Sequence, residues 1–228
     1  MQSQDWFTNR MDLTDPRNPK YNPAMKPYDA YKLAAIAHGA VGQKRADGVT
    51  PYILHPMRVA NLTDHFDRTH ELKSPSVQVA FDRQVAAYLH DVLEDTKLTR
   101  ADLLNFGVSH EQLDIVERLT KPDDGPAPQS YYQRISESDS AMVVKCADRC
   151  ANLEDALKEL LVEEPQTPRR WAKYVDKTYN DVLPLYHLYP GLRSELMTRL
   201  EQIADALPAS LERRAAVVER QRQSAKLS

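Results

Sequence analysis

The chain has 228 residues, 42% of them hydrophobic and 28% charged, with a formal net charge of −3. That length suits one sizeable core rather than two domains, and that balance belongs to a folded globular chain. The net charge argues against sequence-independent nucleic-acid binding. No run approaches the ~20 apolar residues of a membrane helix, and MQSQDWFTNRMDLTDPRNPK lacks the order of a secretory signal, so a cytoplasmic address is expected.

Residues 1–26 read as an irregular arm, with Asp15-Pro16, Asn18-Pro19 and Asn22-Pro23 as turn formers. Helical periodicity then runs from Tyr28 to Ala40, with Tyr31, Leu33, Ala34, Ile36 and Ala37 on its apolar side. Residues 42–54 read as a flexible, glycine-containing loop, and Pro56 suits the first position of the next helix. Ser74-Pro75 opens another helical region, which ends in RQVAAYLHDVLED. Thr99 is placed to cap a short helix stopping at Gly107, and Ser109 with Gln112 forms a capping box for a helix ending near Lys121-Pro122.

KPDDGPAPQ, residues 121–129, is the clearest internal loop and a candidate for mobility at a pocket rim. Long helical patterns follow over roughly 130–160, 168–187 and 191–206, the second opened by Thr167-Pro168, and an Arg- and Gln-rich tail begins at Ala209. With no β alternation, the expected fold is all-α, an irregular helical bundle: an arm over 1–26, a single domain over 27–206 and a helical extension over 207–228. Cys146 and Cys150 lie four apart in a helical pattern and read as reduced core thiols on one face.

The segment most suggestive of chemistry is AAYLHDVLEDT, residues 86–96. On a continuous helix at ~100° per residue, His90, Asp91, Glu94 and Asp95 share one face, with Leu89, Val92 and Leu93 turned toward a core. Acidic residues alone most often form a solvated stripe. An imidazole beside a carboxylate in buried surroundings favours a metal site instead. Two further candidates stand apart from this pair. His55 occurs in PYILHP, directly before a helix start, and Asp148 lies inside the apolar run VVKCADRCANL. Taken singly, His55 reads equally as a hydrogen-bonded core histidine, and Asp148 as the partner of Lys145 or Arg149.

In this order, GQKRADGVTPYILHP, HDVLEDT, LTK and ADRCANL resemble the HD-type hydrolase domain of RelA/SpoT alarmone enzymes. The resemblance covers roughly residues 30–190 and is strongest to the small stand-alone alarmone hydrolases, since synthetase and regulatory domains would not fit in this length. It implies an HD-domain phosphohydrolase that removes the 3′-pyrophosphate of (p)ppGpp, leaving GDP or GTP. Adenine alarmones, in an antitoxin role, and other HD-type nucleotidase or phosphodiesterase substrates remain alternatives. It further implies a divalent ion, usually manganese, held by His55, His90, Asp91 and Asp148, with Glu94 and Asp95 positioning or deprotonating the attacking water. Asn152 would orient the reacting phosphate and Arg45 would contact the base.

The chain departs from the pattern of the family it resembles at two places: Ala46 where many members carry lysine, and Glu154 where they often carry arginine. Lys44, Lys121, Arg134 and Lys145 are candidates to replace the lost positive charge, or solvated surface cations. Tyr131 and Tyr132 are candidates to flank a base, or core residues. The expected partner is a small nucleotide, with no nucleic acid or membrane, and self-association is left open.

Overall fold

The computed structural model describes residues 24–70, 75–122 and 128–227. The arm up to residue 23, Ser74 and the middle of the 121–129 loop lie outside these residues. Among the described residues the chain is helical, with one isolated bridge between Lys44 and Pro51 and no strand. In chain order the helices are α1 Pro27–Ala40, α2 Leu54–Thr69, α3 Val77–Leu89, α4 Val92–Asp95 and α5 Arg100–Asn105. They continue with α6 His110–Leu119, α7 Gln129–Ser136, α8 Asp139–Leu161, α9 Pro168–Lys177 and α10 Pro190–Leu227. The all-α expectation holds.

Local signals placed several boundaries correctly. Thr99 and Asp102 form a reciprocal capping box at α5, and Ser109 and Gln112 form another at α6. The turn after α5 closes at Gly107, whose φ of 90° favours glycine. Pro168 opens α9, where its missing N–H has no helical partner to lose.

Other boundaries differ from expectation for physical reasons. α2 begins at Leu54, so Pro56 occupies the third helical position and His55 lies inside the first turn rather than before it. A proline there still costs no ladder bond, because the first N–H groups are unpaired in any helix. α3 starts at Val77, capped by Ser76 accepting from Val79 N at 3.3 Å, rather than at Ser74-Pro75. The pattern over 130–160 divides into two helices, because Ser138 caps a second start by accepting from Ala141 N.

The α-helical ladder of α9 ends ten residues earlier than the pattern's limit at 187. It passes through a π turn, Thr178–Val182, into a 3-10 turn, Leu183–Tyr186, that contains Pro184, which has no N–H to donate. No helix boundary falls at 206, since α10 runs through Pro208 to Leu227.

On α1 the buried positions are Ala30, Ala34, Ala37 and His38, while Ile36 is 70% exposed. Small side chains let α1 approach α3 closely, and Ile36 falls outside that seam. The core centres on α8, which packs against α2, α3 and α10 and buries most of its length, including the free thiols of Cys146 and Cys150. Asp148 therefore emerges from the middle of the core, opposite the start of α2 and the end of α3. A buried Asp67–Arg83 ion pair, with Arg83 Nε also donating to Ser140 Oγ at 3.1 Å, ties α2 to α3 and the start of α8.

Candidate active site

The helix expected through residues 86–96 is broken. α3 ends at Leu89, and His90 and Asp91 form a turn before the short α4. The apolar anchoring is as expected, with Leu89 and Val92 fully buried and Leu93 packed against the core. The break reorients the pair. His90 Nδ1 lies 2.8 Å from the Ala87 carbonyl, within reach of a hydrogen bond that would leave Nε2 to face the opposite way.

Nε2 of His90 lies 3.0 Å from Asp91 Oδ2 and 3.7 Å from Asp148 Oδ1. His55 Nε2 lies 3.3 Å from the same Asp148 oxygen and 3.7 Å from Asp91 Oδ2. Each imidazole nitrogen thus lies near one oxygen of Asp91 and one of Asp148. Ligand atoms of His55, His90 and Asp91 lie within 4.8 Å of one another, close enough to share an ion. His90 Nε2 is buried and, for all its closeness to Asp91, forms no regular hydrogen bond. An unpartnered buried nitrogen facing two carboxylates fits a divalent cation that accepts lone pairs.

The surrounding groups hold these atoms in place. Tyr52 donates its hydroxyl to Asp91 Oδ2. Lys145 Nζ donates to Asp148 Oδ2 at 2.9 Å, and Asn152 Nδ2 donates to Asp148 Oδ1 at 2.7 Å. Burial opposes ionisation of Asp148, but Lys145 and the two imidazoles overcome it and hold the carboxyl well below the ordinary range. Asp91 behaves alike: burial is outweighed by His90 and His55. Burial also opposes the charged form of His90, yet the two carboxylates raise its pKa well above the ordinary value. The cluster draws in positive charge.

Glu94 and Asp95 stand at the exposed rim of this centre. Glu94 accepts from the backbone N–H of Lys121, and desolvation of its carboxyl pushes its pKa up. Asp95 Oδ2 accepts from Gln43 Nε2 at 2.8 Å. On the other side His55 borders a cavity of about 700 Å³, walled by the loop before α2, by α8 and by the start of α9.

No family model matches the chain. It is similar to human MESH1, a guanosine-3′,5′-bis(diphosphate) 3′-pyrophosphohydrolase, at 32% identity over 158 residues, covering 66% of this chain and 76% of that one. The Danio rerio MESH1 is 33% identical over 181 residues, 77% of this chain and 90% of that one. A Vibrio cholerae guanosine-3′,5′-bis(diphosphate) 3′-pyrophosphohydrolase is 30% identical over 183 residues, 76% of this chain but 23% of the longer protein.

The chain belongs to the guanosine-3′,5′-bis(diphosphate) 3′-pyrophosphohydrolase family.

The fold agrees with this membership. The solved structure of a metazoan ortholog of SpoT matches with a TM-score of 0.60, covering 79% of this chain and 96% of that one at 23% identity. Among its described residues, this pyrophosphohydrolase homologue has no helix long and apolar enough to cross a membrane.

Within the pyrophosphohydrolase framework the remaining candidate residues fall into distinct places. Arg45 lines the cavity, but its loop is pinned rather than flexible. Asp47 accepts from Val49 N and Thr50 N at 2.9 and 2.8 Å, and Arg45 N donates to Thr50 O. The Arg45 side chain donates to Asp155 on α8 and lies over the Tyr52 ring, 5.5 Å from its centroid. Lys145 is half-buried against Asp148, with its ammonium 5.7 Å from the Tyr131 ring centroid. Tyr131 is buried and donates its hydroxyl to the Leu119 carbonyl, while Arg134 donates to the Thr120 carbonyl. Lys44 is exposed opposite Pro51. None of these last four lines the cavity.

Several residues at the site escaped the sequence. Tyr52 and Gln43 lie inside the quoted loop motif, but their partners are distant in the chain, so no local pattern pointed to them. Arg58, Lys158, Arg170 and Trp171 on the cavity wall belong to no local motif that would single them out.

Proposed function

We propose that this chain hydrolyses the 3′-pyrophosphate of guanosine alarmones, yielding GDP or GTP and intact pyrophosphate. The observation that carries the reading is the convergence of His55, His90, Asp91 and Asp148 beside a nucleotide-sized cavity, in a chain whose relatives are named for this reaction. Two imidazoles and two carboxylates, completed by water, suit a six-coordinate manganese ion. Such an ion supplies Lewis-acid polarisation of a phosphoryl oxygen and an acidified water.

The chain's own groups supply the rest. Glu94, made more basic by desolvation of its carboxyl, takes a proton from the attacking water. The water oxygen forms a bond to the phosphorus attached to the ribose 3′-oxygen, and the bond between that phosphorus and the 3′-oxygen breaks. The 3′-oxygen takes up a proton and leaves as the ribose hydroxyl. Asp95, held by Gln43, orients the water, and Asn152, already beside Asp148, reaches the reacting phosphate. Arg45, held by Asp155 over Tyr52, offers a guanidinium face to the purine. The proposed setting is the cytoplasm, where such nucleotides would be met.

Incubating manganese-loaded protein with ppGpp, ppApp and unmodified nucleotides, then separating the products, tests the reading. Intact pyrophosphate and GDP from ppGpp are expected. Stepwise release of single phosphates, or turnover of unmodified mononucleotides alone, would overturn it.

A further inference from the structure

Arg58 lies on α2, three residues beyond His55, a spacing that puts both on one helix face. It lines the same cavity. Its Nε and Nη2 donate to Oε2 and Oε1 of Glu154 at 2.7 and 2.8 Å. Glu154 is also held from behind, because Arg199 on α10 donates to the same Oε1 through Nη2 at 2.9 Å and Nε at 3.1 Å. Arg199 donates in turn to Glu195 at 2.7 Å, and Glu195 lies 3.1 Å from His70 Nε2 at the end of α2. Arg58 therefore stands at the open end of a linked series of charged groups anchored in α10. Its side chain keeps 47% exposure, and its Nη1 makes no hydrogen bond among the described residues.

Arg45 is engaged in the same way but is less open to the cavity, its side chain keeping 14% exposure. Arg45 gives Nε and Nη2 to Asp155, and Lys158 donates to the same carboxylate at 3.0 Å. The series Arg58, Glu154, Arg199 and Glu195 holds two guanidiniums and two carboxylates, so Arg58 offers the cavity a directed donor edge rather than surplus charge. The cation at this edge of the cavity comes from α2, and a carboxylate of α8 presents it.

A doubly pyrophosphorylated nucleotide carries one diphosphate on each side of its ribose. The group to be cleaved must meet His90 and Asp91, which leaves the other diphosphate in the cavity beyond His55. An oxyanion there needs N–H donors of fixed direction, and a guanidinium already held on one edge loses little freedom on binding through the other. We propose that Arg58, presented by Glu154, binds the uncleaved 5′-diphosphate and sets this chain's preference for nucleotides phosphorylated on both sides. The proposal rests on the 3′-pyrophosphohydrolase reading above.

The test compares wild type, Arg58→Ala and Arg58→Lys on ppGpp and on guanosine 3′-diphosphate with a free 5′-hydroxyl. Arg58→Ala should lower kcat/KM for ppGpp about ten- to a hundredfold, the range for losing a hydrogen bond to a charged group, mainly through KM. The 5′-hydroxyl substrate should change less than about twofold, and Arg58→Lys should fall between wild type and alanine on ppGpp. An equal loss on both substrates, or none on ppGpp, overturns the proposal. If wild type cleaves neither substrate, the pyrophosphohydrolase reading itself has failed and this proposal falls with it. That result is distinct from any pattern among the Arg58 variants.

Discussion

The hydroxyl of Tyr52 donates to Oδ2 of Asp91, the same oxygen that His90 Nε2 approaches to 3.0 Å. Burial and the neighbouring Asp91 charge push the phenol pKa upward, so the group stays a neutral donor. Hydrogen bonds of this kind fix the direction of a ligating carboxylate. Tyr52→Phe should therefore weaken manganese affinity about tenfold or more without changing the fold. A metal titration followed by far-UV circular dichroism checks both parts, and unchanged affinity would show that Asp91 needs no such support.

Replacing His90 or Asp91 with alanine should abolish manganese binding and hydrolysis together. The helical signal should stay nearly constant, because α3 already ends at Leu89. Full activity of chelator-treated, metal-free protein would contradict this expectation.

Glu94→Gln should retain the ion and lower turnover by about 10²-fold or more, the scale for losing a positioned acid-base group. The residue lies at the rim, bonded to Lys121 N, not among the converging ligand atoms. Loss of the metal with unchanged specific activity after reloading would make Glu94 a ligand instead.

Arg45→Ala should raise KM for the alarmone while metal content stays intact. Truncating a stacked guanidinium corresponds to a loss on the order of 1–2 kcal/mol, or roughly five- to thirtyfold in kcat/KM. Arg45→Ala also leaves Asp155 with Lys158 alone, so thermal melting should accompany the kinetics.

A stability prediction concerns Asp82, away from the site. Burial raises its pKa, against hydrogen bonds from Gln78 and Gln112 that both reach Oδ1 at 2.9 Å. The folded chain thus keeps this proton to higher pH than the unfolded chain. The contribution to stability is full below the ordinary carboxylate pKa and declines as pH rises through the raised value. Asp82→Asn keeps the accepting oxygen and removes the charge, so its melting temperature should exceed that of wild type at neutral pH. The difference should shrink toward about pH 4, near the ordinary value for the group. Equal melting temperatures at both ends would remove Asp82 from the pH dependence.

The sequence revealed what depends on near neighbours. The capping boxes of α5 and α6 are local, so Thr99 and Ser109 could be read directly. The periodicity through residues 86–96 also located the apolar anchors Leu89 and Val92, but it could not show the break at His90. A turn of two residues preserves the order of polar and apolar positions while redirecting the side chains. Ile36 was misplaced because burial on α1 is decided by how closely its alanines approach α3. His55, His90, Asp91 and Asp148, which the fold brings close together, could be picked out through motif order, whereas Tyr52, Gln43 and Arg58 gain meaning only from partners far along the chain.

His55, the His90–Asp91 turn and Asp148 come from three separate stretches of the chain, so an ion bound to all of them would act as a reversible cross-link between α2, the end of α3 and α8. The turn offers two ligands side by side, and once one is engaged the other is held at high effective concentration. The unfolded chain has no such arrangement, so free metal would shift the folding equilibrium by mass action. The protein's heat resistance would then record the manganese level around it, rising with the logarithm of the free ion above its dissociation constant.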